Sequence, residues 1–163
     1  EMLKVNTTLQ SINVDGHPLP IKQLKGDEPT ESIDLSNKRL NVASAVIIAS
    51  LIGSNSVTKS LSLANNCIAH GGEMSGVKAL YEMLKVNTTL QNINLSNNRI
   101  GIKEDNGNYV AAPKRPIAIA EALKVNKTLT SINLSDNILT NHGRDMSGII
   151  QIAEALKVNT TLQ

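Results

Sequence analysis

The segment from Glu82 to Gln91, EMLKVNTTLQ, stands letter for letter at Glu1 to Gln10 and returns with small changes at Glu121 to Thr130 and at Glu154 to Gln163. Repetition this close restricts the chain to architectures that stack one small unit, because a single unit of this size cannot bury its own apolar face. Each copy runs into an apolar alternation. Leu90-x-x-Ile93-x-Leu95-x-x-Asn98-x-Ile100 and Leu129-x-x-Ile132-x-Leu134-x-x-Asn137-x-Leu139 share one pattern in full, and the stretch around Leu61, Leu63, Asn66 and Ile68 differs by Thr58 in first place. Two earlier copies keep the apolar positions, Ile12 and Val14 and then Ile33 and Leu35, but carry His17 and Lys38 in place of the asparagine. The middle residues Ile12, Ile33, Leu61, Ile93 and Ile132 lie 21, 28, 32 and 39 residues apart, so the period stretches along the chain.

Apolar residues two apart mark a short strand with one face inward. An asparagine just past the strand can donate to and accept from backbone where the chain turns, so Asn66, Asn98 and Asn137 are expected to form a hydrogen-bonded ladder between units. Between strands, Gly76 to Val86, Ile117 to Val125 and Gly148 to Val158 show three-to-four spacing with Glu and Lys outward, which predicts return helices. Tyr81 and Tyr109 are the aromatic residues of the chain, so the core is aliphatic, as suits thin stacked layers.

The strand-plus-helix unit and its junction phrase, fullest from Glu121 to Ser135, resembles the leucine-rich repeats of the ribonuclease-inhibitor type over nearly the whole chain. The stretch from Gly16 to Ile33, with Leu19-Pro20-Ile21, resembles repeat proteins of algae and protists. That resemblance implies an α/β fold, a leucine-rich-repeat solenoid or horseshoe with a parallel concave sheet and convex helices. It implies one domain over 1–163, a segment of a longer array. Within it, a helix-less unit covers about 12–33, where Pro18, Pro20 and Pro29 favour an extended path. Regular repeats cover about 33–163, interrupted at 101–116 by a Gly-, Asn- and charge-rich inserted loop.

Composition removes several functions. A net charge of +2 with dispersed cations disfavours nucleic acid, and the longest apolar run, Val42 to Ile52, is too short to span a membrane. One cysteine, Cys67, excludes an internal disulfide and fits an intracellular, cytoplasmic setting. His17, His70 and His142 fall in different units without ligand-spaced partners, and Cys67 reads as small apolar filler. Glu104 to Asn108 has the look of a calcium loop but lacks its alternating ligands, so a solvated loop is expected. No catalytic, cofactor-binding or metal-binding residue is assigned. The Asn-x-Thr and Asn-x-Ser sequons at Asn6, Asn87, Asn94, Asn126, Asn133 and Asn159 are by-products of the repeat and weak evidence of secretion.

The expected function is a protein-interaction or assembly scaffold without catalysis, a subunit of a larger complex. The alternative is a regulatory module, since the same repeat type resembles the Ran GTPase-activating protein and the sensor arms of immune receptors. Candidate contacts are the outward strand residues Gln91, Asn92, Asn94, Ser96, Thr130, Ser131 and Asn133, and Tyr109 on the inserted loop. Val46 and Ser50 join them, from the helix near 43–52, where Ser50 and Gly53 replace the Glu and Lys that the other helices carry outward. Such a neutral face calls for a cover: Pro18 to Leu24 first, a partner protein second.

Overall fold

The computed structural model describes residues 2–70 and 74–163. Strand β1 (Ser11–Val14) follows the short helix α1 (Met2–Val5), and turns straight back into β2 (His17–Pro20) as an antiparallel hairpin. The turn residues Asp15 and Gly16 both have positive φ, 56° and 75°, the left-handed pair that matches the twist of a tight hairpin. The stretch expected to lack a helix holds α2 (Ile21–Lys25), ended by Gly26 in the left-handed conformation.

Four three-residue strands, β3 (Ser32–Asp34), β4 (Ser60–Ser62), β5 (Asn92–Asn94) and β8 (Ser131–Asn133), form one parallel sheet in that order. Ile33, Leu61, Ile93 and Ile132 stand side by side in register. Helices α3 (Val42–Ile52), α4 (Ser75–Val86) and α5 (Lys114–Val125) return the chain between strands, α6 (Ser147–Val158) follows the last of them, and each helix packs against the next. A second antiparallel hairpin, β6 (Ile102–Asp105) and β7 (Asn108–Ala111), grows between β5 and α5.

The fold is therefore α/β, with a four-stranded parallel sheet and two small antiparallel sheets. This corrects the expectation of a leucine-rich-repeat horseshoe whose concave sheet runs the length of the chain. The first apolar alternation does not join that sheet. Its Asp15-Gly16 turn sends it into a pairing with β2, whose two prolines have no N–H to offer a further strand.

Leu61, Leu63, Leu95, Ile100, Leu80 and Leu123 are essentially inaccessible, and each such side chain contributes roughly 1.5–3 kcal/mol. The polar joints between layers are amides. Asn66 Nδ2 donates to Leu35 O at 2.8 Å and Leu63 O at 3.0 Å, while its Oδ1 accepts from the N–H of Lys38 and Leu40. Asn98 donates to Leu63 O at 2.8 Å and Leu95 O at 3.1 Å. Asn137 donates to Leu95 O, Leu134 O and Ser135 O and accepts from the N–H of Asn98 and Ile100.

A second row, at the helix C-termini, was not legible as structure. Asn87, Asn126 and Asn159 each accept two N–H groups of the following turn and donate to the preceding helix end, at Ile52 O, Leu84 O and Leu123 O respectively, all at 2.7 Å. Asn55 makes the same joint to Gln23 O and Leu24 O. These carbonyls are the unpaired ones that every helix leaves at its last turn. No helix among the described residues is long and apolar enough to cross a membrane.

Helix α3 is capped from two sides. Asn41 accepts from Ala43 N–H, and the Asp15 carboxylate accepts from Asn41 N–H at 3.0 Å, Ser44 N–H at 3.3 Å and the Ser44 hydroxyl. Burial alone would raise the Asp15 carboxyl, but the Ser44 hydroxyl and the two N–H donors outweigh it and hold it below the ordinary 3.8.

Two outcomes follow. Asn137→Ala strands buried groups on two layers and should cost about 2–3 kcal/mol in urea unfolding, and Asn137→Asp no less, since a carboxylate has no donor for those carbonyls. Because the folded-state value of Asp15 is depressed, its stabilisation is complete above the unfolded value and is lost as pH falls through the folded one. Asp15→Asn should therefore cost about 1 kcal/mol at neutral pH and flatten the fall of Tm below about pH 4.

Candidate functional site

The side chains projecting from the sheet are small and, apart from Asp34, neutral. Gln91, Asn92, Ser131 and Asn133 are exposed, and Asn94, Ser96 and Thr130 half-buried. Several are already engaged: Asn94 Oδ1 accepts from Ser96 N–H, Asn133 Oδ1 from Ser135 N–H, and the Thr130 hydroxyl donates to Gln91 O. At the edge of this face the turns after the strands place Asn65 and Asn97 in the left-handed region, and the Asn97 amide donates to Asn65 Oδ1 at 2.9 Å. The surface offers hydrogen bonds and, on its strands, no Tyr, Trp or Arg anchor.

The anchor comes from the insertion. Residues 101–116, expected as a loop, form the β6–β7 hairpin and the first residues of α5. Asn106 and Gly107 make its tip with φ of 50° and 76°, and Glu104 stands across from Tyr109. Helix α5 begins at Lys114, ahead of Pro116, because a proline in the first turn forfeits no helical hydrogen bond. The foot is tight. A Cβ on Gly101 would collide with the carbonyl oxygen of Ile138, Ala112 N–H donates to Gly101 O at 2.8 Å, and buried Arg115 donates to Ile102 O. Burial lowers the affinity of Arg115 for its proton.

So held, Tyr109 is 56% exposed and meets Arg99 of the neighbouring turn. Arg99 Nη1 donates to the Tyr109 hydroxyl at 3.1 Å, and the guanidinium carbon lies 5.6 Å from the ring centre. His70, Lys103 and Glu104 line the same shallow depression. Along this strand-to-helix rim several carboxylates are taken up by nearby N–H and hydroxyl donors. Asp15 caps α3, Asp34 accepts from Ser36 N–H, and Asp145 accepts from the Ser147 N–H and hydroxyl. The Ser36 and Ser147 donors hold Asp34 and Asp145 below the usual carboxylate value. Among the described residues, none of the ion pairs includes Lys38, Arg39, Arg99, Lys103 or Arg144, whereas Lys25, Lys59, Lys85 and Lys157, away from this rim, each have a carboxylate.

Away from Tyr109, α3 carries no charged residue. The segment Pro18 to Leu24 covers part of it, with Leu19, Ile21 and Leu24 fully buried and α2 packed on α3. Val46 and Ser50 stay exposed, and a groove of about 400 Å³ runs beside them over Ala49, Gly53, Ala79 and Met83. The site thus falls into two separate places, the rim with Tyr109 and the α3 face, which the fold does not bring together.

His17, His70 and His142 do not converge, and no group of three or more His, Cys, Asp or Glu among the described residues could hold a metal ion. Cys67 is half-buried, its N–H bonded to Leu40 O.

No protein-family model matches the chain, and no curated protein matches it. Solved structures do. The chain is similar to leiomodin-1 actin-binding site 2, with a TM-score of 0.66 and 26% identity over 86% of this chain and 72% of that one. It also matches the tropomodulin C-terminal domain from Caenorhabditis elegans, with a TM-score of 0.48 and 16% identity over 85% of this chain and 89% of that one. The likeness to the leiomodin-1 site corrects the assignment to ribonuclease-inhibitor-type repeat proteins and turns away from the GTPase-regulator and sensor-arm alternative. The solved structure that shares this fold at the higher score is a protein-binding domain.

Proposed function

We propose that the chain is a protein-binding domain with no chemistry of its own, and that actin is its partner. The observation that carries this reading is the likeness to the actin-binding site of leiomodin-1, which extends over 86% of the chain. An actin partner implies an intracellular protein.

The contact surface in this reading is the strand-to-helix rim. Protein interfaces concentrate their free energy in a few Tyr, Trp and Arg residues set among near-neutral contacts. Tyr109 and Arg99 supply such residues, and the polar strand residues Gln91, Asn92, Asn94, Ser96, Thr130, Ser131 and Asn133 supply the surround. The α3 face with Val46 and Ser50 is a second, weaker candidate, because its groove has no such anchor.

Co-sedimentation of the protein with actin filaments, paired with a pull-down of monomeric actin, tests the assignment. Saturable binding to either form is expected. Removing the cross-strand pairs Lys103–Val110 and Glu104–Tyr109 shortens the hairpin without changing its register or tip. That deletion should weaken binding at least ten-fold while thermal unfolding stays within a few degrees of the parent. Absence of binding to both filaments and monomers would sink the assignment. Undiminished binding by the shortened protein would move the site to another face.

A further inference from the structure

Arg99 is not where it is because the backbone demands it. The turns after three of the four parallel strands use a left-handed residue at this position, with φ of 56° at Arg39, 58° at Arg99 and 53° at Ile138. Isoleucine meets the same backbone requirement at the next layer, so the guanidinium is free to serve something else. It serves no ion pair among the described residues. Its contacts are the Tyr109 hydroxyl, at 3.1 Å from Nη1, and the Tyr109 ring.

A guanidinium held against a tyrosine by one hydrogen bond has lost part of its rotamer freedom, and Arg99, itself exposed, keeps further N–H donors for a partner. That is the geometry that accepts a carboxylate two-pronged. The surroundings agree in sign. Lys103 and His70 line the same depression, and its one carboxylate, Glu104, forms an ion pair with neither Arg99 nor Lys103. The platform is stiff, because Gly101 and Arg115 fix the foot of the hairpin to the strand layer and to α5.

We propose that Arg99, pre-set on Tyr109, receives a carboxylate of the protein partner, and that the rim recognises an acidic segment through it. Lys103 adds charge beside it, and Tyr109 supplies the apolar wall. This rests on the reading of the chain as an actin-binding domain and names the chemistry the partner must present at the contact.

Actin filaments are the probe, with binding measured by co-sedimentation at two salt concentrations. Arg99→Lys keeps the charge and loses the fork; Arg99→Asn loses both and suits the left-handed backbone. Tyr109→Phe keeps the ring and loses the hydroxyl that orients the guanidinium. The expected result is binding weakened about ten-fold by Arg99→Lys, further by Arg99→Asn and several-fold by Tyr109→Phe, with unchanged thermal unfolding in all three. The parent should lose affinity as salt rises, and Arg99→Asn should lose distinctly less. If the parent binds while Arg99→Lys and Arg99→Asn match it, or all proteins share one salt dependence, the carboxylate site is overturned and the actin assignment stands. If the parent does not bind at all, both fall.

Discussion

The interaction on which everything else depends is a buried primary amide that works in two layers at once. Asn66, Asn98 and Asn137 sit where a strand gives way to its turn; Asn55, Asn87, Asn126 and Asn159 sit where a helix gives way to its loop. Both are places where backbone groups run out of regular partners. A planar amide carries two donors and an acceptor, so one side chain can close the turn of its own unit and the open carbonyls of the unit before it. Aspartate lacks the donors. The aliphatic core supplies most of the free energy, and the in-and-out alternation fixes which face each strand turns inward. The amides fix how each turn closes on its neighbour, because a shifted turn would leave several buried polar groups unmet at once.

The same geometry decides what could be read from the sequence. The four residues Ile33, Leu61, Ile93 and Ile132 occur at the centres of the four parallel strands, because in-and-out alternation is a local property written into each unit. The helices could be placed for the same reason. What lay outside reach was how units differ. Asp15-Gly16 and Asn106-Gly107 are dipeptides that make tight hairpins, yet inside a repeating pattern each looks like a blemish in one copy. The first of them takes the opening alternation out of the parallel sheet, and with it goes the inference from repeat phrase to horseshoe. The phrase specifies what one layer does to its neighbour; it is silent on how the stack is closed, and attribution to a ribonuclease-inhibitor type rested on the phrase. Of the helix-end asparagines, Asn87, Asn126 and Asn159 stand out in the sequence only as sequons, and Asn55 not at all. Those at Asn87, Asn126 and Asn159 are buried between layers, with both amide faces engaged, so a glycan there is incompatible with the folded chain.

The candidate contact surface shows the same division between what recurs and what is added. The recurring strands present small polar groups that suit any neighbour moderately and none strongly. The hairpin adds an aromatic ring, and the ring gives a neighbouring arginine a fixed posture. Little of the scaffold has to change to accommodate it, because Gly101 N–H still donates to Asn137 O as the layer requires, and Ala112 closes onto Gly101 directly behind. Tyr109 could be singled out from the sequence as a large amphipathic group in a loop, but its pairing with Arg99 depends on a strand register that no local pattern reveals.

Each ladder amide donates across the layer boundary in one sense only. Asn55 reaches Gln23 and Leu24, Asn87 reaches Ile52, Asn126 reaches Leu84 and Asn159 reaches Leu123, always from the later unit to the earlier. Asn66, Asn98 and Asn137 do the same along the sheet. The two sides of any layer are therefore chemically unlike. Toward its predecessor a unit presents amide groups that reach out, and toward its successor it presents backbone carbonyls and N–H groups that wait for an amide, as Leu35 O and the Lys38 and Leu40 N–H groups wait for Asn66. A layer so built can be stacked in one sense only, since a reversed unit would set amide against amide and leave carbonyl facing carbonyl.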